Sequence, residues 1–321
     1  MMQKKRPGGA LSIIRYWLAF SFCLLATMHA WCKDNHVWVI QNSESASNTT
    51  AFEKLAETVA IAPIKLHNIN LQQTQLPTNK PTFVIAIGTA ATEKVLGMNF
   101  DCPVLSVLVT ESGFKELAAR YKKSVDNAFT ANYSALVLEQ PLLRYLSLGK
   151  NLIPGAKKIG LLIGPNTAYR KIEAETVANA LDLELVFATI NDDSNPVRAL
   201  EPVIAGVDFF VVVPDTNIVN QSTARWVLEL SYRHSTPVIG YSARYAEAGA
   251  LAGIFTTPES LGRQAGQWLL QALVNPPQRG QIFGPQDLQI VLNPSVARAN
   301  NLTLKHAEVY RQLLVPGGMS P

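Results

Sequence analysis

Short apolar runs alternate with polar turns and amphipathic stretches along this chain, and the alternation occurs twice. In the first half, residues 37–40 (VWVI), 64–69, 83–87 (FVIAI) and 104–109 (VLSVLV) read as strands. Continuous apolar runs of this length suit strands covered on both faces, as in a parallel sheet. A helix is expected over 51–60 after the polar turn 41–50. Two more follow Gly88-Thr89 and the turn Thr110-Glu111-Ser112-Gly113, where hydroxyls and glycine favour helix starts. Residues 122–139 break the rhythm. A fifth strand is expected at 128–131, with the chain leaving for a second unit at Asn132-Tyr133-Ser134. A helix over 140–152 then carries Pro141 in its first turn.

The second half repeats the layout. Strands are expected at 158–163 (KIGLLI), 183–190, 208–213 (DFFVVV), 237–240 and 250–255, with helices over 168–181, 196–205 and 218–233. Thr257-Pro258-Glu259 caps a helix over 260–274. A Pro/Gly-rich stretch, 275–285, then precedes a last strand at 288–292 and a short helix at 294–300. Strands separated by helices at this spacing imply α/β architecture with right-handed crossovers. The fold class is two Rossmann-like lobes, each with a parallel sheet.

Composition agrees with two cores: 321 residues, 48% hydrophobic and 16% charged. The formal net charge of +4 is misleading. Lys4, Lys5, Arg6 and Arg15 are the only charges before Ala30, which leaves 24 basic and 24 acidic residues beyond it. A neutral body has no electrostatic footprint for nucleic acid. The first thirty residues read as a signal peptide: a basic start, an apolar run at 16–27 too short to span a bilayer, and Ala30 before the expected cut. An exported, periplasmic protein cleaved near Ala30 is expected, the alternative being an uncleaved anchor.

Cleavage there leaves two cysteines in an oxidising compartment. Cys32 precedes the first strand and Cys102 the fourth. Strand starts share one edge of a parallel sheet, so a Cys32–Cys102 disulfide is expected; the alternative is two inert thiols.

Catalytic signatures are absent from the sequence. No Gly-x-Gly-x-x-Gly follows a strand, no Walker loop or nucleophile elbow occurs, and the histidines are scattered singly without metal-ligand spacing. No catalytic residue, cofactor or metal is nominated, and an enzyme is not expected. The chemistry sits in the strand-end turns, where open α/β sheets bind ligands and helix N-termini offer N–H groups. Candidate ligand-binding residues in the first lobe are Ser43, Ser45, Gly88, Thr89, Ala90, Thr110 and Ser112. In the second they are Asn166, Tyr169, Asp215, Thr216, Asn217, Tyr241 and Arg244. Hydroxyls and N–H groups suit a carboxylate or phosphate, Asp215 an ammonium, and Tyr169 or Tyr241 an apolar ring. Each can equally be an ordinary helix cap.

Four stretches carry a resemblance: QPLLRYLSLGKNLIPGAKKIGLLIGP (140–165), TPVIGYSARYAEAGALAG (236–253), GRQAG (262–266) and NPSVARANN (293–301). With these the chain resembles the ABC transporter substrate-binding protein family of type I periplasmic-binding-protein fold, particularly the branch with aromatic amino-acid binders. The resemblance implies two lobes joined by three crossovers, with residues 261–274 returning to the first lobe and the last strand to the second. It divides the chain into a leader (1–30), lobe 1 (31–131 with 256–280), lobe 2 (132–255 with 281–310) and a flexible tail (311–321). It further implies a small-molecule ligand, best guessed as amino-acid-like, and delivery to a membrane permease by a monomer. The rival reading is an accessory or sensor module of the same fold, signalling to a membrane receptor without transport. The chain departs from the family at Thr110-Glu111-Ser112-Gly113, at Phe129-Thr130-Ala131 and at Tyr241-Ser242.

Overall fold

The computed structural model describes residues 35–122, 124–125, 128–129, 132–190, 195–215, 218, 220–277 and 280–314. The leader, Cys32, Thr216, Asn217 and the residues from 315 onward lie outside this set.

The first sheet is built from β1 (Asn35–Gln41), α1 (Ala46–Val59), β2 (Ile64–Asn70), β3 (Phe83–Ile87), α2 (Thr89–Leu96), β4 (Val104–Val109) and α3 (Glu111–Arg120). A small antiparallel pair, β5 (Ser124–Val125) and β6 (Ala128–Phe129), leads to β7 (Tyr133–Val137). The second unit runs through α4 (Leu142–Leu152), β8 (Lys158–Ile163), a 3-10 turn at Ala168–Arg170, α5 (Lys171–Ala180), β9 (Glu184–Thr189), α6 (Pro196–Ile204), β10 (Phe209–Val211), α7 (Gln221–His234), β11 (Val238–Gly240), α8 (Ala243–Glu247) and β12 (Ala252–Phe255). The chain then continues as α9 (Pro258–Val274), β13 (Ile282–Phe283), β14 (Gln289–Leu292), α10 (Pro294–Ala299) and α11 (Ala307–Leu314).

The strand orders are β13-β7-β4-β3-β1-β2 and β14-β12-β11-β10-β8-β9. Every pairing in the first sheet is parallel. In the second, the pairings are parallel except that β14 runs antiparallel to β12. The apolar runs are explained by coverage on both faces. In the first sheet Val37, Val39, Ile85 and Leu105 face α1 and α9. Their neighbours Trp38, Ile40, Val84 and Ala86 face α2 and α3, against Val95, Leu96 and Phe114. In the second sheet Leu161, Phe209 and Val211 pack on α4 and α5, while Leu162, Phe210 and Val212 pack on α6 and α7. Each such Leu, Ile or Phe contributes about 1.5–3 kcal/mol by burial.

Two expected boundaries move. The fifth parallel strand of the first sheet is β7, not 128–131, and the chain leaves that sheet after Val137 rather than at Asn132. The polar look of Tyr133 and Ser134 is misleading, because both are buried with partners. The Tyr133 hydroxyl donates to the Met98 carbonyl at 3.2 Å, and Ser134 Oγ accepts the Gln281 N–H at 3.1 Å. The second bond brings β13 beside β7, so residues 282–283 belong to the first sheet although 281–310 was expected in the second lobe. The expected tail also begins too early: residues 311–314 are the end of α11, with Leu314 buried in the second core.

Glycine decides how α9 returns to the first sheet. A Cβ on Gly262 would lie 2.1 Å from the Ala51 carbonyl oxygen, and one on Gly266 would lie 2.7 Å from Thr58 Cβ. The two helices therefore meet backbone to backbone. The connections between sheets run through residues 138–141, 256–257 and 284–288.

Cys102 is half-buried, and burial pushes the pKa of its thiol form up to about 11. Strand β3 separates β4 from β1, so the starts of the two strands next to Cys102 and Cys32 are about 10 Å apart, two strand spacings.

Candidate ligand-binding cleft

The carboxyl ends of the two sheets oppose each other. Glu111 follows β4 and Tyr169 follows β8, and these neighbours meet across the gap. Lys115 Nζ of α3 lies 3.7 Å from the centroid of the Tyr169 ring. Burial and the nearby Glu111 carboxylate push the Tyr169 pKa up. Lys115 also pairs with Glu111 at 2.6 Å.

The first wall is built from helix starts. Ser45 caps α1 by accepting the Asn48 N–H at 3.4 Å, and the Ser43 carbonyl accepts the Thr49 hydroxyl at 3.3 Å. Asn48 Nδ2 donates to the Ile87 carbonyl at 3.2 Å, which ties α1 to the end of β3. Gly88 follows with φ at +91°, and a Cβ there would lie 3.0 Å from Asn48 Nδ2. Gly88 offers α2 no side-chain cap, and Thr89 and Ala90 are exposed. The start of α2 thus presents N–H groups and partial positive charge to the gap.

The start of α3 is different. Leu108, at φ +57°, forms a bulge in β4 that shifts its register against β7 just before Thr110. Thr110 Oγ1 accepts the Gly113 N–H at 3.1 Å. The Glu111 N–H is shared between both carboxylate oxygens of Glu139, each at 3.0 Å. Thr110 is therefore engaged in capping, and Ser112 sits half-buried in the first turn. Glu139 is 6% exposed. Burial pushes its pKa up to about 7 and the Glu111 charge adds to that, while the Glu111 N–H, its own N–H and Arg170 act in the opposite sense.

On the second wall, Thr167 links two turns. Its Oγ1 accepts the Gly164 N–H at 2.9 Å and donates to Asp215 Oδ2 at 2.8 Å. Asp215 is 3% exposed, packed beneath Gly164, where a Cβ would come within 2.6 Å of its oxygen. Asp215 thus holds the β8 turn in place. Asn166 is half-buried and Tyr169 is 45% exposed. Arg170 is buried and paired with Glu173 at 3.1 Å. Tyr241 stacks obliquely on Tyr245, ring centroids 5.6 Å apart. Ser242 caps α8 by accepting the Tyr245 N–H at 3.2 Å, and Arg244 is exposed on that helix. Thr216 and Asn217 lie outside the described residues.

Sequence reasoning missed Glu111, Lys115, Glu139 and Arg170 as cleft residues. Glu111 and Lys115 carry a helix i,i+4 pattern that reads as an ordinary surface pair, and nothing local distinguishes Glu139. A cavity of about 630 Å³ lies elsewhere, between α9 and β13, lined by Gln264, Gln267, Trp268, Gln271, Gln281, Phe283 and Gln286. It includes none of the strand-end residues and is not the cleft. Among the described residues no helix is long and apolar enough to cross a membrane.

A family model described as ABC transporter substrate binding protein matches residues 38–310. A tyrosine-binding protein of Clostridioides difficile (strain R20291) is 25% identical over 199 residues, which are 61% of this chain. That match spans 55% of the relative, about half its length. Among solved structures, a ligand-free, open substrate binding protein with adhesive properties from Clostridium difficile is similar at a TM-score of 0.63 and 18% identity. The match covers 85% of this chain and 97% of that one. An ABC domain in complex with L-Trp from Streptococcus pneumonia gives a TM-score of 0.53 at 18% identity, covering 87% and 98%. These structures share the two-lobed fold.

Proposed function

Since the chain belongs to the ABC transporter substrate-binding protein family, we propose that it is an exported binding protein that clamps a free aromatic amino acid between its lobes and delivers it to a membrane permease. The family is one of solute-binding proteins rather than of enzymes. The observation that carries the ligand class is the pairing of an uncapped helix start at Gly88-Thr89-Ala90 with exposed or half-buried tyrosines, Tyr169 and Tyr241, on the other wall. The N–H groups and partial positive charge of α2 suit a carboxylate. The tyrosine rings suit an aromatic side chain, with preferred centroid separations of about 4.5–7 Å. Tyrosine and tryptophan, named for the two relatives, have both parts.

Closure follows from contacts made by one ligand to both walls, which favour the arrangement in which the walls are near. The ligand reading is tested by calorimetric titration of the refolded, ligand-free protein with each of the twenty amino acids. L-tyrosine or L-tryptophan is expected to bind most tightly. Tightest binding of a non-aromatic amino acid, or of none, refutes the ligand class. Export is tested by N-terminal sequencing of the secreted protein, with a start just after Ala30 expected. The Cys32–Cys102 bridge belongs to the same proposal. No free thiol is expected in the denatured, unreduced mature protein, and two would exclude the bridge.

A further inference from the structure

One side-chain contact joins the two walls directly. Tyr169 stands on the 3-10 turn after β8 and Lys115 on α3 of the opposite lobe, yet ammonium and ring centroid are 3.7 Å apart. A cation at this distance over a phenol ring is attracted by the negative face of the π system. The Glu111 carboxylate holds Lys115 at 2.6 Å and acts electrostatically on the phenol, so ring, cation and carboxylate form one set. The first-lobe side of this set is anchored. Glu111 is the first residue of α3, and its N–H is held by both oxygens of buried Glu139, on the connection from β7 to α4. The second-lobe side is anchored by Arg170, 5% exposed and paired with Glu173.

We propose that Lys115 is a positioning residue for Tyr169, and that the Lys115–Tyr169–Glu111 set is a ligand-independent tether that fixes the resting separation of the lobes and thereby the affinity of the cleft. The proposal rests on the reading of the cleft as the ligand site. A ligand that needs both walls is bound by the fraction of molecules whose walls are near, and its apparent dissociation constant rises as that fraction falls. Loss of the tether lowers the fraction. Lys115 touches the ligand in no part of this scheme and acts only through the tyrosine ring.

The decisive variant is Lys115→Met, which keeps most of the unbranched side chain and removes the charge. The side chain of Lys115 is 39% exposed, so the fold tolerates the change. Lys115→Arg keeps a cation over the ring and serves as rescue. Two measurements are made on the full mature chain: small-angle scattering without ligand, and calorimetric titration with L-tyrosine. For Lys115→Met the radius of gyration is expected to increase without ligand and the dissociation constant to rise roughly fivefold, the scale of one such contact. Lys115→Arg is expected to restore both. Unchanged scattering of Lys115→Met overturns the tether, whatever the titration shows. A tether confirmed by scattering in a protein that binds no L-tyrosine instead supports the tether and counts against the tyrosine ligand. A fivefold loss that Lys115→Arg fails to rescue also overturns the proposal, because a cation is then not the cause.

Discussion

Arg144 Nη2 donates to the backbone carbonyl of Gln286 at 2.7 Å, joining a helix at the start of the second lobe to the last connection between the lobes. Its Nη1 also donates to the Pro285 carbonyl at 2.8 Å and to Gln140 Oε1 at 2.5 Å. Gln140 in turn donates to the Asp287 carbonyl at 3.2 Å. The first and third connections are therefore fastened to each other through one buried guanidinium. These two connections form a cross-braced unit.

Replacing Arg144 by Met strands the Pro285 and Gln286 carbonyls in a buried setting. Hydrogen bonds to charged groups contribute about 1.5–3 kcal/mol each, and an unpaired buried acceptor adds its own desolvation cost. A loss of about 2–4 kcal/mol is expected in urea unfolding. Arg144→Lys should recover only part, since an ammonium lacks the planar fork that meets several acceptors at once. Full recovery by lysine would show that charge alone suffices.

Glu139 makes stability depend on pH. Its folded pKa of about 7 lies above the ordinary carboxylate value of 4.5, so the folded protein holds this proton more tightly than the unfolded chain does. The contribution is fully present below about 4.5 and is lost as pH rises to about 7, beyond which it is flat. A difference of this size corresponds to roughly 3 kcal/mol. The variant Glu139→Gln, which keeps an acceptor for the Glu111 N–H, should lack this loss. Urea unfolding of both proteins from pH 4.5 to 8 gives the difference directly. A constant difference across that range would show that Glu139 titrates normally.

Gly262 and Gly266 let α9 lie against α1. A methyl at Gly262 meets a backbone oxygen at 2.1 Å, whereas one at Gly266 meets a side chain at 2.7 Å. Backbone yields less readily than a side chain. Gly262→Ala is expected to cost about 3 kcal/mol, and Gly266→Ala about 1 kcal/mol. Thermal unfolding of the two variants tests the order, and equal costs would contradict the close backbone crossing.

Gly88 combines a positive φ with the open start of α2. Gly88→Ala is expected to lower stability by about 1–2 kcal/mol, because alanine is strained there and its Cβ crowds Asn48. It should lower affinity for L-tyrosine by a larger factor than Asn48→Ala, which frees space without straining the backbone. Titration calorimetry on the two variants decides. Undiminished binding by Gly88→Ala would place the ligand carboxylate elsewhere.

The sequence by itself determined the elements and their class. Apolar runs such as VWVI and VLSVLV have no polar face, so sheets covered on both sides are required, and the caps at Ser45, Thr110, Ser242 and Thr257 act within three residues of themselves. These are local matters of periodicity and short-range hydrogen bonding. Tertiary structure decided everything that depends on partners far along the chain. Ser134 became a strand residue because Gln281 bonds to it, and Gly262 mattered because Ala51 lies against it. Asp215, which as a sequence suits an ammonium, is engaged by Thr167. Glu139, Lys115 and Tyr169 gained their roles only when the ends of two sheets were brought face to face. Burial and charge pairing depend on distance in space, which a one-dimensional pattern of apolar and polar positions does not encode.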